Sequence, residues 1–179
     1  MKKPYILVVN DDGITAPGIK ALIEVSKELG DVVVVAPDKP QSGMGHAVTF
    51  NATLHVNKTE VVGVTGYACS GTPVDCVKIA VNKLLDRKPD LIVSGINHGA
   101  NSSINVIYSG TMSAAVEGAL QEIPSVGFSL LDHSIDANFD AAKVIAKKII
   151  TNMIENPMPK DVCLNVNIPN VSMDLIAGI

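Results

Sequence analysis

Two adjacent carboxylates, Asp11 and Asp12, follow directly on the apolar run Tyr5-Ile6-Leu7-Val8-Val9, in the segment Asn10-Asp11-Asp12-Gly13. The run has the length and β-branched content of a buried strand. Neighbouring carboxylates at a strand end repel each other, and a bound cation is the simplest way to offset that repulsion. Successive side chains on a strand point to opposite faces, so both can reach one ion only if the chain bends after the strand. Gly13 permits such a bend. In an open α/β sheet, ligands bind outside the carboxyl ends of the strands.

Two more polar loops follow apolar strand-like runs: Gln41-Ser42-Gly43-Met44-Gly45, and Gly95-Ile96-Asn97-His98-Gly99-Ala100-Asn101. In a doubly wound sheet all three loops gather at one edge. Their carboxylates, hydroxyl and amide oxygens suit a hard cation such as Mg²⁺ or Mn²⁺ rather than zinc. A fourth segment, Tyr108-Ser109-Gly110-Thr111, opens a helical run and offers hydroxyls and free backbone N–H groups to an anion. A metal beside an anion site points to phosphoryl chemistry. Each segment also has a plainer reading: Asp12-Gly13 as a turn, Ser42 as a loop residue, Ser109-Gly110-Thr111 as a helix cap. The coincidence of four such segments at strand ends and helix starts favours a site. His46 and His98 read as surface or supporting groups, and His55 and His133 as exposed. A covalent phosphatase of the haloacid-dehalogenase type is excluded, because Asn10 holds the nucleophile position and an amide cannot form an aspartyl-phosphate. Neither a dinucleotide glycine fingerprint nor a Walker loop is present.

The elements that must position these groups alternate in type. The spacing predicts a helix from Thr15-Ala16-Pro17 to Gly30, with Thr15 as cap, and a buried strand over Val32-Val33-Val34-Val35-Ala36. Residues 48–56 alternate Val48, Phe50, Ala52, Leu54, Val56 with polar residues, the mark of a half-exposed strand, and residues 61–69 read as its antiparallel partner. That pair is expected as an insertion lying outside the parallel core. Thr72-Pro73-Val74-Asp75 starts a helix whose stripe runs through Leu85, Asp90–Ser94 is a strand, and a loop is expected from Gly95 to Gly110. A helix from about Thr111, a strand over Pro124–Leu130, an amphipathic helix over 138–155 and a strand over Val162–Ile168 complete the pattern. The strands beginning near Tyr5, Val32, Asp90 and Pro124 are expected to be parallel.

The 179 residues are 47% hydrophobic and 18% charged, which suits one α/β domain with a buried parallel sheet. A formal net charge of −4, three Phe, three Tyr and no Trp argue against nucleic-acid binding. No aromatic ring can be assigned to the pocket from sequence alone. Cys69, Cys76 and Cys163 are odd in number and lack zinc-ligand spacing, so reduced, mostly buried thiols are expected. The apolar stretch after Met1-Lys2-Lys3 is too short for a secretion signal, and no segment approaches the roughly 20 apolar residues of a membrane span. A cytoplasmic location follows as the default.

Together the quoted segments, with Ala16-Pro17-Gly18-Ile19, Val35-Ala36-Pro37-Asp38, Gly71-Thr72-Pro73 and Pro89-Asp90-Leu91, resemble the SurE family of stationary-phase survival proteins, which act as metal-dependent nucleotidases. The resemblance spans nearly the whole chain. It implies a Rossmann-like three-layer core with a mainly parallel sheet and a β-hairpin extension, assembled as a homodimer or homotetramer. It implies hydrolysis of nucleoside 5′-monophosphates through a metal-activated water, with Asp11 or Asp12 as the base. It carries one Mg²⁺ or Mn²⁺ per subunit to Asp11, Asp12, Ser42 and Asn97, and the phosphate to Asn101, Ser109, Gly110 and Thr111. A broader phosphatase and a non-enzymatic nucleotide sensor are the alternatives. Against the family pattern, Ser102-Ser103-Ile104-Asn105 makes Asn105 a poor candidate for an acidic role, and Asp174–Ile179 reads as a strand beginning in a domain over residues 1–179 cut short at its C-terminal end.

Overall fold

A computed structural model describes residues 3–134, 136–159 and 161–178. Met1, Lys2 and Ile179, on which the readings of the two chain ends partly rest, lie outside the described residues. Seven strands form one sheet: β1 (Tyr5–Val9), β2 (Asp31–Pro37), β3 (Val56–Val61), β4 (Val64–Cys69), β5 (Leu91–His98), β6 (Ser125–Leu130) and β7 (Cys163–Ile168). Their order is β3-β4-β2-β1-β5-β6-β7, and every neighbouring pair is parallel except β3 with β4. The helices are α1 (Pro17–Leu29), α2 (Pro73–Ile79), α3 (Asn105–Tyr108), α4 (Gly110–Leu120) and α5 (Asp140–Glu155).

Strand periodicity sorts the core into two layers. Ile6, Val8, Val34, Ala36 and Val93 pack with side chains of α1 and α5 on one face. Leu7, Val9, Val33, Val35 and Ile92 pack with Cys76 and Val77 of α2 and Ala114 of α4 on the other. Both faces of the central strands are covered, which is why β1 and β2 read as continuous apolar runs rather than alternating ones. The α/β, mainly parallel architecture read from the sequence is the one observed, and the strands near Tyr5, Val32, Asp90 and Pro124 are parallel neighbours.

Six local readings require correction. The strand expected over residues 48–56 is largely irregular chain, and regular pairing starts only at Val56. Asp75 accepts from the Thr49 N–H (3.1 Å) and hydroxyl (2.6 Å), while the Thr72 hydroxyl donates to the Ala47 carbonyl (2.7 Å). The Asp75 bond takes a Thr49 N–H that a strand would have used, and Phe50, on the supposed buried face, is 87% exposed. The hairpin turn is Val62-Gly63, with φ of +51° and +73°. Two successive positive φ values match the right-handed twist of a two-residue hairpin, and valine conceals that signal in sequence. Nor is the pair outside the parallel core, because β4 pairs parallel with β2, from Val34 opposite Gly66 to Pro37 opposite Cys69.

The remaining corrections lie at element ends. The cap of α1 is Ala16, without a side-chain bond, not Thr15; Pro17 stands in the first turn and Gly30 closes the helix as expected. The stripe of α2 leaves the α form after Ile79 and continues as one π turn over Ala80–Leu84. The loop expected from Gly95 starts later, since β5 runs on to His98 across a bulge between Ser94 and Asn97. Gly95 makes the bulge possible: its φ is +122°, and an added Cβ would lie 2.4 Å from the Phe128 carbonyl oxygen. At the C-terminal end, Met173–Leu175 form one 3₁₀ turn rather than a strand.

Candidate active site

The sheet order reverses at β1, which has β2 on one side and β5 on the other. In open α/β sheets a crevice forms outside the strand ends at that reversal. A polar cavity of about 240 Å³ lies there, lined among others by Asp11, Asp12, Ser42, Asn97, Asn101 and Ser109. Residues from the loops after β1 and β2, from β5, and from the segments flanking α3 thus converge on one place.

The bend after β1 is built locally. The Asn10 side-chain amide donates to the Gly13 carbonyl (2.9 Å), Gly13 has φ +98°, and the Ile14 N–H reaches the Pro37 carbonyl (2.9 Å). This turn brings Asp11 and Asp12 to the same cavity despite their odd and even positions. The Gln41 N–H donates to the Asp11 carbonyl (2.7 Å), which ties the Ser42 loop to the same bend. Asn97 uses its side-chain nitrogen on the carbonyls of His98 (3.1 Å) and Gly99 (2.8 Å). That commits its donor and leaves the amide oxygen as the group it can offer a ligand.

Asp11 is only 4% exposed. Burial pushes its carboxyl up to about 6; the Thr111 hydrogen bond opposes the shift and the Asp12 charge adds to it. Burial also raises Asp12, against the pull of the His98 ring and backbone N–H. The hydroxyl of Thr111 donates to Asp11 Oδ1 at 2.5 Å. Gly110 lets the α4 N-terminus come this close, because a Cβ there would lie 2.6 Å from Asp11 Cβ and 3.0 Å from Asp11 Oδ2. Thr111 and Gly110 are buried behind Asp11 and do not line the cavity. Ser109 and Asn101 do. Ser109 caps α4, its Oγ accepting from the Met112 N–H (3.0 Å), so its own proton is free to be donated. Asn101 is held by its N–H on Asn167 Oδ1 (2.8 Å) and its side-chain nitrogen on Ser129 Oγ (2.9 Å).

The donor set is all oxygen, and the cavity lining contains no lysine or arginine among the described residues. Nor do three His, Cys, Asp or Glu residues cluster as a metal site among them, so a soft, zinc-like centre has no basis here. Two partly desolvated carboxylates with a hydroxyl and an amide oxygen nearby, and no lysine or arginine in the lining, fit a hard divalent cation.

Several supporting residues make contacts that local spacing does not encode. Glu117, buried on α4, meets His46 Nε2 at 3.1 Å and Lys78 Nζ at 3.3 Å, joining the Ser42 loop and α2 to α4. Asp75, read only as a helix-start acid, forms a capping box with Thr72 and also holds Thr49. His98 lines the cavity and meets Phe139 edge-on, with ring centroids 5.3 Å apart. Tyr108 also lines the cavity, so one aromatic ring does reach the site. The three cysteines are free thiols, Cys69 and Cys76 buried and Cys163 half-buried. Among the described residues no helix is long and apolar enough to cross a membrane.

The sequence model described as survival protein SurE matches residues 6–179. A 5′-nucleotidase SurE of Flavobacterium psychrophilum is 60% identical over 100% of this chain and 70% of its own length. One of Christiangramia forsetii is 61% identical over 99% of the chain and 70% of its own length. Among solved structures, a SurE protein from Aquifex aeolicus superposes with a TM-score of 0.90 at 42% identity, covering 98% of this chain and 70% of that one. With a family match over nearly every residue, and relatives this similar sharing its fold, the chain belongs to the SurE family.

Proposed function

We propose that this chain hydrolyses nucleoside 5′-monophosphates to nucleoside and phosphate at the cavity beside β1 and β5, with a divalent cation held by Asp11, Asp12, Ser42 and Asn97. The observation that carries the reading is the pairing of a buried Asp11 with Asp12 in a cavity whose lining holds no lysine or arginine among the described residues. An anionic ester cannot settle against two carboxylates unless a cation stands between them. When bound, the cation supplies that charge and acidifies the attacking water. The names of the relatives supply the substrate class.

The chain's own groups then divide the work. Thr111 holds Asp11 Oδ1, which leaves Oδ2 to orient the water and accept its proton. Ser109 donates its hydroxyl proton to a phosphate oxygen, and the Asn101 amide, anchored by Ser129, offers its second N–H. Gly110 and Thr111 act one step back, by placing Asp11. The water oxygen bonds to phosphorus as the bond to the nucleoside 5′-oxygen breaks, and that oxygen takes a proton from solvent to leave as the nucleoside hydroxyl. The assembly proposed with this reading is a homodimer or homotetramer, which light scattering measures directly.

The test is phosphate release from a panel of phosphate esters with Mg²⁺, with Mn²⁺ and with excess chelator. The expected result is turnover of nucleoside 5′-monophosphates that needs a divalent cation. Stabilisation by metal with no phosphate released from any ester overturns the enzymatic reading.

A further inference from the structure

Beside the polar cavity lies an apolar surface that the fold leaves uncovered. Ile104, Ile107 and Tyr108 are 63%, 68% and 58% exposed. Ile107 and Tyr108 lie on the single turn of α3 and Ile104 is its N-cap with helical backbone angles, so at i, i+3 and i+4 they share a face. Exposed apolar residues scattered singly mean little, but three large ones on one turn at a cavity mouth mark a binding surface. Tyr108 belongs to both regions, since it lines the cavity and immediately precedes Ser109. The turn is held in place from behind: the Gly45 N–H donates to the Tyr108 carbonyl (3.1 Å), and a Cβ on Gly45 would lie 3.0 Å from the Ile107 carbonyl oxygen.

Size identifies the occupant. The cavity's volume of about 240 Å³ is below the roughly 300–1,000 Å³ of pockets that enclose a ligand of drug size. A phosphate bound against Asp11, Asp12 and Ser109 fills the polar floor, and the rest of a nucleotide has to pass the rim. Tyr108 offers the aromatic face there, flanked by the two isoleucines. We propose that Tyr108, with Ile107 and Ile104 beside it, is the platform on which the base of the nucleotide packs outside the polar cavity. The inference rests on the nucleotidase reading and deepens it. Stacking on a π-face is tolerant of base identity, so the platform rewards the presence of a base more than its kind. It adds affinity at a distance from the reacting phosphorus, through KM.

The experiment compares kcat/KM for a nucleoside 5′-monophosphate with kcat/KM for ribose 5-phosphate, which keeps the sugar and phosphate and lacks the base. In the wild-type protein the nucleotide is preferred. Tyr108→Ala lowers that preference about 10-fold, chiefly through KM of the nucleotide, the size expected for one lost stacking contact. Tyr108→Phe retains the preference, and Ile107→Ser lowers it by less. Thermal melts confirm that each variant is folded, which their exposure favours. Phosphate release from both substrates with an unchanged ratio in Tyr108→Ala overturns the platform while leaving the nucleotidase reading intact. An unchanged ratio together with a smaller assembly in Ile107→Ser also overturns it, and assigns the face to a contact between copies. Release from neither substrate by the wild type removes the nucleotidase reading and the platform with it.

Discussion

Asp11 and Asp12 stand one residue apart in very different settings. Asp11 lines the cavity but is almost fully buried, with Thr111 on one oxygen and Gly110 close to the other; Asp12 is half-buried beside His98. The carboxyl of Asp11 titrates near 6 against an ordinary 3.8. A raised acid favours the folded state only while it is protonated, so its contribution is complete below 3.8 and is lost as pH rises through about 6. Metal-free wild-type protein therefore loses melting temperature between pH 4 and pH 7 relative to Asp11→Asn, which has no charge to bury; paired thermal melts across that range measure it. Thr111→Ala removes the bond that opposes the shift. It should push the Asp11 carboxyl higher still, visible as an upward move in the acidic limb of the pH–rate profile. The adjacent carboxylates announced themselves in the sequence because their repulsion demands an explanation at a strand end. The pattern suggested Thr111 and Gly110 as phosphate ligands, whereas the structure sets them against Asp11, behind the cavity lining. Which atom a helix start faces is decided by how closely two elements pack, and no local spacing encodes that.

The elements show the same division between local and long-range information. Strands β1, β2, β5 and β6 and helix α5 are set by periodicity and composition, and they could be read directly. Residues 48–55 could not, because their alternation is strand-like while Asp75, 26 residues along the chain, binds the Thr49 N–H and Thr72 binds the flanking Ala47 carbonyl instead. The bulge in β5 was hidden for a related reason: Gly95 reads as a loop glycine, and only the nearness of Phe128 shows that the strand continues past it. Val62 at φ +51° is an unfavourable residue at its turn. Val62→Asn should stabilise the protein by about 0.5–1 kcal/mol without altering activity, since asparagine tolerates that conformation; a raised melting temperature with unchanged kcat checks it. Gly110→Ala should do the reverse. Its methyl would meet Asp11 Cβ at 2.6 Å, so either α4 or the Asp11 bend must move. A loss of about 1–3 kcal/mol in stability is expected, together with a fall in metal affinity, measured by denaturation and by metal titration.

At the scale of the molecule, the sheet order places every proposed ligand at one edge, although Asp11, Ser42, Asn97 and Ser109 are spread across almost 100 residues of chain. The chain's formal charge of −4 offers no general attraction for an anion, so binding must come from the local field at that edge. A cation bound there should stabilise the folded state by mass action, about 2.7 kcal/mol at a hundred times its dissociation constant. The measurement that bears most directly on a metal-dependent nucleotidase is phosphate release from a nucleoside 5′-monophosphate, followed across Mn²⁺ concentration for the wild type and for Asp12→Asn. Asp12→Asn keeps the shape and removes one negative charge. The account predicts no release by the wild type in excess chelator, saturating release with Mn²⁺, and for Asp12→Asn a curve displaced to higher Mn²⁺ with a maximal rate lower by about 10²–10³. Full wild-type turnover in chelator, or an Asp12→Asn curve that overlays the wild type, would contradict it.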